Sequence, residues 1–269
     1  MSATADEAGA PAPEVLLEVA APVATITMNR PDARNMLTAS GMALLAAHLR
    51  TAGSDPSVRA IVLTGSGNTF CSGADLRGAS AADASSFTGS GPGALVEVLE
   101  AIQDNPKPVI ARVQGHVAGG GNGLVAAADL SVAVDSAKFA FSEVRLGLAP
   151  AVISVVCLAR MHRADAQELL LTGERVPAAR MLDAGMVNRV VADDELDAAV
   201  SGWVSSLVAG GPEAVTHTKD LLRVVPGLSR SEGFAHTSAL SAQLFSSPEA
   251  AAGMMAFLSR QPAPWVPQG

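Results

Sequence analysis

The sequence predicts an α/β fold built from repeated strand-strand-helix units and completed by a helical C-terminal region. Three stretches carry that expectation. "VATITMN" (23–29) alternates apolar and polar residues as a half-buried strand does, "TASGMALLAAHLRTAG" (38–53) has helical apolar spacing, and "VRAIVLTG" (58–65) is a β-branched run ending in glycine. With 269 residues and 49% hydrophobic content the chain can bury a large core.

The elements follow in order. "RPDARN" breaks the first strand, and a glycine- and serine-rich loop occupies 65–93. A helix near 94–103 leads through "NPKP" to the strand "VIARVQG" (109–115). "DLSVAVD" and "KFAF" read as short strands, and "AVISVVCLARM" (151–161) as a buried helix. From about residue 164 the texture turns helical, with "GERVPAARMLDAGMVNRVV" as a last strand-containing turn. The expected organisation is a small, polar and acidic disordered tail at 1–13, a core at 14–195 and a helical region at 196–269, with no linker between the last two.

Composition excludes several classes of protein. The tail lacks the basic and apolar segments of a signal peptide, and no run reaches about 18 uninterrupted apolar residues, so neither secretion nor a membrane span is expected. Cys71 and Cys157 stand without metal spacing, which fits ordinary thiols in a reducing cytoplasm and no metal site. A net charge of -8 and scarce aromatics argue against nucleic acid, and any anionic ligand must be held by local donors against the global field.

Two glycine-rich turns lie at strand ends, "GSGNTFCSGADL" (65–76) and "VQGHVAGGGNGL" (113–124). Each helical glycine costs about 1 kcal/mol relative to alanine, so the second turn calls for a steric or functional reason. Unpaired amides at a helix start, approached over glycine, suit an anionic oxygen. Neither turn is a P-loop or a dinucleotide fingerprint.

"TGSGNTFCSGADL", "VQGHVAGGGNGLVAAADLSVA" and "AKFAFSEVRLGLAP", in this order, closely resemble the crotonase superfamily of enoyl-CoA hydratases and isomerases. "MNRPDARNML", "LTGERVPAARMLDAGMVNRVV" and "GMMAFLSRQPAPW" extend the likeness over about 15–265. The resemblance implies a crotonase-like spiral of ββα units with a helical C-terminal trimerisation region. It also implies a homotrimer or homohexamer acting on acyl-CoA thioesters, with coenzyme A as part of the substrate and no separate cofactor. The shared device is an oxyanion hole of two backbone amides, by match those of Ala74 and Gly120; such a donor contributes about 3–4 kcal/mol.

Typical hydratases place one glutamate in GGGxE and a second about twenty residues later. Here Gly123 stands at the first position, and Glu143 in "FSEVRLGLAP" keeps the second. A carboxylate beside an apolar acyl pocket gains a raised pKa and serves as general acid or base. The alternative for Glu143 is a structural salt bridge with Arg145 or another cation. "LAPAVISVV" replaces a glycine-rich PGxGGTQ segment, with Ala151 at a glycine whose amide helps hold water in typical members. "SEVRLGLAPAVIS" is similar to bacterial members assigned to methylglutaconyl-CoA hydration, which brings branched acyl groups into range. For coenzyme A the matching positions are Ala33, Arg34, Asp75 and Leu76, then Lys219 and Phe257, the last bordering a neighbouring subunit's adenine.

Other polar residues have plainer readings. His116 is expected to pack at a strand end, and Asp129 to hold backbone. Asn122 either orients a water or starts a helix. The expected activity is hydration of a 2-enoyl-CoA through an enolate. A 3,2-enoyl-CoA isomerase, which needs a single base, and a catalytically silent acyl-CoA binder stay open beside it.

Overall fold

The computed structural model describes residues 12–75 and 92–266. The chain opens with β1 (Val15–Ala20) and β2 (Val23–Met28), paired antiparallel. The β1 strand is not evident in "VLLEVA", because an edge strand with an exposed outer face does not alternate cleanly. β2 alternates as expected: Ala24, Ile26 and Met28 are buried, while the residues between them are half-buried. α1 (Ala39–Ser54) starts where the Thr38 hydroxyl accepts the Gly41 amide at 2.9 Å. It buries Met42, Leu45 and Leu49 along one stripe.

The spiral then begins. β3 (Ala60–Gly65), β4 (Thr69–Cys71) and α2 (Pro92–Gln103) form one turn, and β5 (Val109–Val113), β6 (His116–Ala118) and α3 (Gly120–Ala127) the next. β7 (Leu130–Val134) and β8 (Lys138–Ala140) continue it into α4 (Ala151–Arg160) and α5 (Arg163–Thr172). β9 (Arg175–Pro177), α6 (Ala178–Asp183) and β10 (Arg189–Val191) close the core. Each turn gives one strand to each sheet. The larger sheet has the order β1-β2-β3-β5-β7-β10, parallel from β2 onward, and the smaller has the order β4-β6-β8-β9.

This layout corrects two sequence expectations. The stretch 65–93 is not all loop, since β4 lies within it and α2 starts at Pro92; residues 76–91 lie outside the described residues. Proline suits a first helical turn because its missing amide hydrogen has no acceptor there. The helix at 151–161 forms, yet it is not buried all round. Val155 is 76% exposed and Leu158 55%, while Ile153, Val156 and Cys157 pack inward against α3.

α7 (Leu196–Ala209), α8 (Pro212–Val224), α9 (Arg230–Phe245) and α10 (Pro248–Leu258) supply the helical C-terminal region. α7 lies on the larger sheet against β3, β5 and β7. No helix among the described residues is long and apolar enough to cross a membrane.

Candidate active site

The first glycine turn follows β4. Gly73 has φ +90°, a conformation that suits glycine, and its carbonyl accepts the Leu37 amide at 2.8 Å. The Asp75 amide donates to the Leu37 carbonyl at 3.1 Å, so Ala74 is held in a one-residue parallel bridge. In that pattern Ala74 turns its own N–H away from Leu37, and the residue is exposed.

The second turn follows β6. Gly119, with φ +51°, precedes α3, and its amide donates to Ala140 at 3.2 Å. Gly120 is the first helical residue, so its N–H has no acceptor within α3. The two turns touch: a Cβ on Gly73 would lie 3.2 Å from the Gly120 nitrogen and 3.1 Å from the Ala118 oxygen. A Cβ on Gly121 would lie 2.7 Å from the Cys71 oxygen, so this glycine lets α3 approach β4 closely.

Glu143 sits on a short 3-10 turn, Ser142–Leu146, directly after β8. A Cβ at Gly119 would lie 3.8 Å from Glu143 Oε1, which places the carboxylate beside the second turn. Its Oε2 is buried with no hydrogen-bond partner. Burial raises the pKa above the ordinary carboxylate value, against a smaller lowering from the residue's own amide. Arg145 does not pair with it, since its guanidinium donates to the Thr172 carbonyl at 3.2 Å, so a salt bridge with Arg145 is not formed. Cys157 is buried with its thiol pushed up to about 12, first by burial and then by the charge of Glu143.

Asn122 is fully buried, and its Nδ2 donates to Ala140 at 2.8 Å and Gly119 at 3.3 Å. It therefore ties the second turn to the strand that leads into Glu143. Its Oδ1 is buried without a partner. His116 accepts the Lys138 amide at its Nδ1, 3.1 Å away, as a packed strand-end residue does. Ala151 donates its amide to Ala149 at 2.8 Å, so that group is already committed within the chain.

The remaining expected positions divide. The Arg34 carbonyl accepts the Ser72 amide at 3.1 Å, so the Ala33–Arg34 segment lies alongside the turn that carries Ala74 and Asp75. Arg34 is exposed. Asn35, not singled out from the sequence, anchors this junction: its Nδ2 donates to Ser66 at 2.8 Å and Thr69 at 2.6 Å, and its Oδ1 accepts the Arg30 amide. Consecutive positive φ angles at Arg34 and Asn35 are its structural signature. Leu76 lies outside the described residues.

Lys219 is not brought to the site. It is buried, and its ammonium donates to Ile102 at 2.9 Å, Lys107 at 3.2 Å and Asp129 at 2.8 Å, leaving it no donor for a phosphate. Asp129 in turn accepts the Val109 amide at 2.7 Å, a backbone-holding role. Phe257 is 83% exposed on α10. Among the described residues no cluster of His, Cys, Asp and Glu is built to hold a metal.

Residues 18–268 match the family model described as enoyl-CoA hydratase/isomerase, and the chain belongs to that family of enzymes. An enoyl-CoA hydratase of Mycobacterium tuberculosis is 31% identical over 253 residues, which cover 93% of this chain and 95% of that protein. A carnitinyl-CoA dehydratase of Salmonella arizonae is 33% identical over 91% of this chain and 95% of its own length. The crystal structure of a Mycobacterium smegmatis enoyl-CoA hydratase superposes with a TM-score of 0.89 at 36% identity, covering 94% of this chain and 99% of that one. The fold is the crotonase spiral of these enzymes.

Proposed function

We propose that the chain adds water to a 2-enoyl-CoA thioester, with Glu143 as acid and base and the Ala74 and Gly120 amides as the oxyanion hole. The observation that carries this reading is a half-buried carboxylate, with one oxygen unpartnered, beside two touching glycine turns. In the reaction the Glu143 carboxylate takes a proton from water as the hydroxide oxygen bonds to C3. The C2–C3 π electrons move toward the thioester oxygen, which becomes an enolate oxygen facing the two amides. The protonated Glu143 then delivers its proton to C2, which yields the 3-hydroxyacyl-CoA and restores the carboxylate. The raised pKa suits both halves of this cycle, because the group must hold the proton between them.

The Ala33–Arg34 segment and Asp75 are assigned to the coenzyme A moiety, on the strength of their position along the first turn. Branched acyl groups of the 3-methylglutaconyl type belong in the substrate range of this reading. The exposed apolar residues of α9 and α10, Phe257 among them, are assigned to contacts between copies in a trimer or a pair of trimers.

Assay with crotonyl-CoA and 3-methylglutaconyl-CoA in 18O-labelled water tests the proposal. Label at C3 of the product supports it. Turnover of a 3-enoyl-CoA to the 2-enoyl isomer, with no label entering from either 2-enoyl substrate, overturns it in favour of isomerisation. That second reading is favoured by Gly123, which leaves Glu143 without the other glutamate.

A further inference from the structure

A side chain at position 123 has no room in this fold. A Cβ built on Gly123 would lie 2.5 Å from Ile153 Cγ2 and 3.1 Å from Ile153 Cβ, with Leu99 Cδ2 at 3.5 Å. Ile153 is 2% exposed, in the first turn of α4, and Cys157 one helical turn later is close enough to Glu143 to feel its charge. Side chains four apart share a helix face. The same face of α4 thus fills the volume over Gly123 and runs past the carboxylate. Leu37 and Leu95 approach Gly120 from other elements, at 3.3 and 3.5 Å from its would-be Cβ. The start of α3 is therefore walled by aliphatic side chains.

We propose that Gly123 and Ile153 form a complementary pair that determines the chemistry of the site: Ile153 takes the volume of the side chain that residue 123 lacks, which excludes a second carboxylate and leaves Glu143 to work against a dry, apolar wall. This rests on the reading of Glu143 as the acid/base of an acyl-CoA site. It goes beyond that reading in naming the residue that fixes the carboxylate count. The bulk sits on α4 rather than α3, and position 123 cannot gain a side chain while Ile153 keeps its own.

The test is a substitution series in the full chain. Gly123→Ala favours the helix by intrinsic propensity, so helix physics alone predicts a more stable protein. The pair predicts the opposite sign: with Ile153 in place, Gly123→Ala lowers the melting temperature, as core overpacking does, and cuts turnover by about tenfold or more as the start of α3 is displaced. In an Ile153→Gly background the same substitution is expected to change turnover by less than about twofold, a strong non-additivity. Ile153→Ala, which removes the 2.5 Å contact and keeps the 3.1 Å one, falls between. Gly123→Glu with Ile153→Gly should fold and add a second carboxylate limb to the pH–rate profile, while Gly123→Glu alone should not. Gly123→Ala melting above the parent, or effects of equal size in both backgrounds, would overturn the pair. The melting-temperature arm does not depend on which enoyl-CoA is turned over, so a failure of the hydration reading leaves this result separately readable.

Discussion

Glu143 combines a functional advantage with a structural burden. Burial raises its pKa in the folded protein above the unfolded value, so folding favours the protonated form. The stabilisation from that preference is fully present below the unfolded pKa and is lost as pH rises through the folded one. Above its raised folded pKa the carboxylate is ionised and works against the fold, and its buried Oε2 has no partner to offset this. Glu143→Gln removes the ionisation and keeps the shape. The variant should lose about a hundredfold or more in kcat, the low end for a general acid or base. It should nevertheless melt above the parent at pH 7, and the difference should shrink as pH falls toward the ordinary carboxylate pKa of about 4. Calorimetry from pH 4 to 7.5 on both proteins measures it. A Gln variant that melts lower at neutral pH would mean that the carboxylate has a structural partner and is no free base.

At the scale of elements, the Lys219–Asp129 pair ties α8 of the C-terminal helices to the core. Lys219 reaches from α8 to the last turn of α2 and the approach to β5, while Asp129 binds the first amide of β5. Lys219→Met leaves Asp129 partly buried beside an apolar chain, and breaking such a pair costs about 3–5 kcal/mol. Denaturant unfolding should show that loss, with Asp129→Asn recovering part of it. A normal unfolding midpoint together with a raised KM for acyl-CoA would instead return Lys219 to phosphate binding. The lysine also shows where sequence reading stops. "THTKDLL" contains a surface-type residue at helical spacing, and nothing local says that its side chain crosses 90 residues of sequence to Asp129. β4 and β6 escape for a related reason, since three residues carry no measurable alternation and their pairing is decided by the turns around them. The long helices, β2, β3 and the two glycine turns were legible because their signals are periodic or confined to a few residues. The steric partner of Gly123 was not, because it lies 30 residues away on α4.

For the whole molecule, the charge and the surface point in one direction. The chain carries a net charge of -8, so on the proposed reading the local amides and the Arg34 segment would hold an anionic acyl-CoA within an unfavourable overall field. The core does not use all of its apolar side chains: Phe234, Phe245, Met255, Phe257 and Leu258 stand 64%, 72%, 68%, 83% and 79% exposed on the last two helices. Exposed apolar side chains on neighbouring helices are candidates for an interaction surface. Further copies of this chain are the proposed occupants, and light scattering of the purified protein should give a mass of three or six chains. Phe257→Asp places a charge at the most exposed of these positions and should shift the protein toward single chains, since an unpaired buried charge at an interface opposes association. The fold of each chain should survive, because Phe257 contributes nothing to the buried core. If the parent protein is already monomeric at micromolar concentration, or if Phe257→Asp leaves a trimer intact, this face is not what joins the copies.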